Sequence, residues 1–65
     1  MSNNQKPSRR LSRQDASLIK GMLSQGYYQN RIAAFFDVNP GRISEIKTGK
    51  VFADVLPATK VPTLH

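Results

Sequence analysis

The junction Phe36-Asp37-Val38-Asn39-Pro40 constrains this chain most, because it ends one helix and starts another with almost no chain between them. Asp is one of the few residues besides Gly that tolerate the left-handed conformation a sharp helix exit needs. Asn39 is a good N-cap, and Pro40 suits the first helical position, where its missing N–H costs nothing. Apolar residues stand on both sides: Ile32, Ala33, Phe35 and Phe36 before the junction, Ile43 and Ile46 after it, with Val38 at the corner. The spacing predicts one helix from about Tyr28 to Phe36 and another from Pro40 to Thr48, which Gly49 ends.

A further helix precedes these two. Ser12 with Asp15 forms a capping-box-like pair, and Leu11 can pack back as a staple. Ala16, Ile19, Met22 and Leu23 then share one face, with Arg13, Gln14, Lys20 and Ser24 outside. Gly26 supplies the exit. Gly21 costs the helix about 1 kcal/mol relative to Ala, so it marks either a close approach by another helix or a tolerated weakness. The expected fold is all-α: a compact three-helix bundle over residues 12–50. Residues 1–11 form a basic arm, in which "MSNNQKPSRR" has no apolar residue after Met1 and is expected to be disordered. Residues 51–65 form a short apolar C-terminal extension.

Size and composition exclude several functions. With 65 residues and no cysteine, the chain has neither disulfides nor a thiolate zinc site to supplement a small core. Its only histidine is His65, and Asp15, Asp37, Glu45 and Asp54 show no paired spacing. No acid–base or metal-ligand constellation follows, so neither an enzyme, a cofactor, a metal nor a small-molecule substrate is expected. No apolar run reaches membrane-spanning length, which points to a cytoplasmic protein. Ten Lys and Arg against four acids give a formal charge of +6. A balance this basic in so small a domain favours a polyanionic partner.

The pattern Gly26, Ile32-Ala33, Val38, Ile43 and Ile46 resembles the hydrophobic skeleton of the helix-turn-helix family. "GRISEIKTGK" resembles the recognition helix of phage-repressor-type proteins, and "GYYQNRIAAFF" the preceding segment of resolvase-type DNA-binding domains. The resemblance covers Ser12 to Lys50. Ala33 stands where the family needs a small residue for two helices to cross closely. Asp37 departs from the family's usual turn glycine, and Tyr28 from its usual Ser or Thr cap.

The resemblance implies sequence-specific binding of double-stranded DNA and regulation of transcription, with helix 40–48 in the major groove. Its outer face carries Gly41, Ser44, Glu45 and Thr48, flanked by Arg42 and Lys47. Gly41 lets the backbone approach closely, and Arg42 can bond guanine or hold a phosphate. Glu45 can accept from cytosine or pair with Arg42, and the pairing is favoured because a lone carboxylate is repelled by phosphates. Ser44 and Thr48 are adaptable, and Thr48 can also meet a thymine methyl. Tyr28, Gln29 and Asn30 are candidate backbone contacts at the start of the second helix, as are Asn39, Lys47 and Lys50 around the third. Arg9 and Arg10 in the arm are candidate minor-groove contacts.

Val51, Phe52, Val55 and Leu56 are too apolar for a free tail. They are expected as a helical turn or an extended strip on the bundle, or as a dimer contact. A homodimer on DNA is expected because one recognition helix reads few base pairs. The family setting implies a bacterial, phage or mobile-element protein associated with the nucleoid. Two alternatives stand beside the regulator: an excisionase-like recombination accessory, and a helix-turn-helix module that binds polymerase or another regulator.

Overall fold

The computed structural model describes residues 10–64, so most of the expected arm, with Lys6 and Arg9, lies outside the described residues, as does His65. Helices α1 (Arg13–Ser24), α2 (Gln29–Phe36) and α3 (Pro40–Thr48) follow in chain order, with no strand among the described residues. The chain is an all-α three-helix bundle.

Local chemistry fixes each helix end. Asp15 N–H donates to Ser12 Oγ at 3.0 Å, and Ser12 N–H donates to Asp15 Oδ2 at 3.0 Å, a complete capping box. Asp37 ends α2 in the left-handed conformation (φ 58°, ψ 48°). Two residues on, Asn39 Oδ1 accepts from Gly41 N–H at 2.8 Å and opens α3 with Pro40 in its first turn. Gly49, at φ 84°, closes it. The rapid stop and restart between α2 and α3 is therefore carried by Asp37, Asn39 and Pro40, each suited to its backbone state.

One core joins the helices. Ala16, Ile19 and Met22 of α1 pack with Ile32, Ala33 and Phe36 of α2 and with Ile43 and Ile46 of α3. Val38 fills the corner and Val55 enters from the tail. Each fully buried Ile or Met contributes about 1.5–3 kcal/mol relative to exposure. One expectation about faces needs correction. Phe35 does not belong to the inner face of α2: it is 51% exposed. At ~100° per residue it falls about 60° outside the arc from Ile32 to Ala33, and its ring meets Phe36 edge to face (centroids 5.1 Å apart). Leu23 is half-buried and packs against this core, on the face its spacing predicted.

The tail folds back along α1, with bends and a turn over residues 51–54 and irregular chain beyond. Phe52 takes a positive φ of 54°, and a turn follows with Val55 N–H donating to Phe52 O. Lys20 Nζ donates to Phe52 O at 2.6 Å and to Val55 O at 2.7 Å. Expected on the outer face, Lys20 is instead partly buried and holds the tail. Ser17 binds it twice: its hydroxyl donates to Leu56 O (2.7 Å), and its carbonyl accepts from Ala58 N–H (2.9 Å). Arg13 pairs with Asp54 at 3.0 Å. Gly21 now has its reason, and it is not another helix. A Cβ there would stand 2.5 Å from Ala58 O and 2.6 Å from Val61 Cγ1. Of the apolar tail residues, Val55 is buried and Phe52 half-buried, while Val51 and Leu56 remain exposed.

Candidate nucleic-acid interface

The geometry of α3 follows from its two isoleucines. Ile43 and Ile46 are the only residues of α3 that are fully buried, and they fix which way the helix faces. Opposite them, Gly41 and Thr48 are exposed, and Ser44 and Glu45 are half-buried. Gly41 and Thr48 are seven residues apart, about two turns, so they lie nearly in line along the outer face. Arg42 and Lys47 stand exposed on its two flanks, and Lys50 is exposed just beyond Gly49. These candidates therefore form one continuous surface.

The polar groups on this surface are already partly engaged. Arg42 Nη1 meets Glu45 Oε1 at 3.4 Å, one turn along the helix. The pair is open to solvent, and such pairs contribute only about 0.3–0.5 kcal/mol on a helix. Its effect is to neutralise the carboxylate and hold the guanidinium over the outer face. Thr48 Oγ1 donates back to Ser44 O at 3.0 Å. Asn39 uses its Oδ1 on the α3 cap, where it accepts from Gly41 N–H.

The start of α2 carries the other described candidates. Tyr28 occupies the N-cap, and no side chain caps this helix. An anion is stabilised at such an end by the orphan N–H groups and the helix dipole. Tyr28 is 78% exposed, Asn30 is exposed and Gln29 is half-buried. Arg31, absent from the sequence-derived candidates, is exposed on the first turn of α2 and lines a shallow depression with Gly26, Tyr27, Tyr28 and Leu64. Its position three residues after Tyr28 was the available signal. Arg10 is exposed ahead of α1 and belongs to neither helix of this surface, and Arg9 lies outside the described residues.

Other chemistry finds little foothold. Among the described residues no cluster of His, Cys, Asp or Glu could hold a metal ion. None of the helices described is long and apolar enough to cross a membrane. An apolar depression between Leu23, Ile46, Val55 and Pro57 is also lined by Lys20, Lys47 and Thr48, and the Lys20 ammonium is committed to the tail carbonyls. Comparison with known proteins found no matching family model, no matching curated protein and no matching solved structure.

Proposed function

We propose that the protein binds double-stranded DNA by laying the outer face of α3 in the major groove, and that it regulates transcription from such sites. The observation that carries the reading is the division of α3. Ile43 and Ile46 anchor it in the core, while Gly41, Arg42, Ser44, Glu45, Lys47 and Thr48 form its outward surface. Such a helix is held rigidly by one face and offered by the other. Three further features support the reading. The close α2–α3 junction sets a second helix beside the first. The start of α2, without a side-chain cap and with Arg31 on its first turn, suits a phosphate. The chain carries a formal charge of +6. A single helix reads few base pairs, so a pair of copies on a two-fold site is part of the proposal.

Salt dependence tests it. With about three cations, from Arg31, Lys47 and Lys50, on phosphates, affinity for duplex DNA should fall on the order of 40-fold between 50 and 200 mM salt. Affinity that ignores salt, or no binding to any duplex, contradicts the proposal. The exposed Phe35 and Tyr28 favour a second reading, in which α2 docks on another protein. An apolar contact of that kind would hold its affinity as salt rises.

A further inference from the structure

We infer that Thr48 determines sequence specificity through its methyl group, by contact with the C5-methyl of a thymine at one end of the bound site. The inference rests on the DNA-binding reading above and adds to it the base that one side chain selects. Thr48 carries two groups that a base could meet, a hydroxyl and a methyl, and the structure treats them differently. The hydroxyl proton goes to Ser44 O at 3.0 Å, with Glu45 O at 3.4 Å beside it. This back-bond to the preceding turn is a preferred rotamer of a helical threonine. It turns Oγ1 onto the helix and sends the methyl to another staggered position, away from those carbonyls.

Neighbours reinforce the choice. Gly41 lies nearly in line with Thr48, two turns earlier, and offers no side chain. Glu45, between them, is engaged with Arg42. Ser44 and Glu45, on either side of this line, are half-buried, so the exposed side chain on it is that of Thr48, with its methyl outward. A methyl has no hydrogen bond to give, and the one base-edge group in the major groove that matches it is the thymine methyl. Hydroxyl readout would require Thr48 to give up the Ser44 bond or to use only its remaining lone pairs as an acceptor. Thr48→Val and Thr48→Ser separate the two, because Val keeps the methyl and loses the hydroxyl while Ser does the reverse.

The experiment first selects a preferred duplex with the parent protein from a random pool. Parent, Thr48→Val and Thr48→Ser are then titrated on it and on versions with each thymine replaced in turn by deoxyuridine, which lacks only the methyl. At one thymine, the replacement should weaken the parent and Thr48→Val by about fourfold, the worth of one buried methyl-sized group. Thr48→Ser should bind the unmodified duplex about fourfold more weakly and ignore that replacement. Melting curves check that all three fold alike. If Thr48→Ser binds as the parent does, or Thr48→Val is the variant that loses affinity, the methyl assignment is wrong. If the parent selects no sequence at all, the DNA-binding reading fails and this inference falls with it. A selected sequence with unaltered Thr48→Ser binding removes this inference alone.

Discussion

Gly21 shows how one residue can record a contact made far along the chain. In an exposed helix, Gly21→Ala would gain about 1 kcal/mol. Here the added methyl would collide with Ala58 O and Val61 Cγ1, and a backbone carbonyl does not swing aside like a side chain end. The substitution is expected to destabilise the fold by about 1–3 kcal/mol in urea unfolding. A stabilised variant would mean that the tail does not lie against α1. Arg13 and Asp54 report on the same contact by titration. The hydrogen bond from Arg13 lowers the Asp54 carboxyl below its usual 3.8, aided by a backbone hydrogen bond and by the guanidinium charge. A depressed folded-state value contributes stability that is present above the unfolded value and is lost as pH falls through the folded one. Both side chains are exposed, so the effect on stability is small and the carboxyl itself is the better probe. In an NMR titration Asp54 should ionise at lower pH in the parent than in Arg13→Met. Equal titration curves would show that the pair does not form in solution.

Elements differ in how much of them could be read beforehand. The three helices were legible because their ends are set by neighbours in sequence: Ser12 with Asp15, Asp37 in the left-handed region, Asn39 with Pro40, and Gly49. The direction faced by a short helix is harder to read. In α2 the five positions from Ile32 to Phe36 are all apolar, and their pattern alone does not exclude Phe35 from the inner face. The path of the tail was not legible either, since Lys20 and Phe52 stand far apart in sequence and an outward lysine looks the same whether or not it holds a carbonyl. Two substitutions test these elements. Ala33→Leu puts a larger side chain where Ala33 is buried at α2, and should cost about 1–3 kcal/mol or more by overpacking. A parent-like melting curve would contradict the packing of α2 described here. Lys20→Met keeps the apolar stem but leaves Phe52 O and Val55 O without their donor. A cost of about 1–3 kcal/mol is expected from the loss of charged hydrogen bonds. Amide exchange should also quicken at Val55 and Ala58, and unchanged exchange would show that Lys20 does not hold the tail.

At the scale of the whole molecule, the fold separates two kinds of surface. The tail packs along α1, and a polar surface is presented by α3 and the start of α2, with Arg31, Arg42, Lys47 and Lys50 exposed there. The outline of this surface was legible in the sequence, because Ile43 and Ile46 fix the orientation of α3 by period alone. The pairing of Arg42 with Glu45 was expected from their spacing and is present, whereas the engagement of Thr48 with Ser44 required the structure. The proposed function depends on that surface meeting DNA, and Arg42 and Lys47 should then behave differently. Titration of Arg42→Ala and Lys47→Ala against a preferred and a scrambled duplex, at two salt concentrations, tests this directly. Arg42→Ala should lose about 1–3 kcal/mol on the preferred duplex and relax selectivity at one base pair. Lys47→Ala should weaken binding to both duplexes alike and reduce the salt slope by about one phosphate contact. Both should melt as the parent does, because both side chains are exposed. If both variants bind both duplexes as tightly as the parent at either salt concentration, α3 does not face DNA and the central claim is wrong.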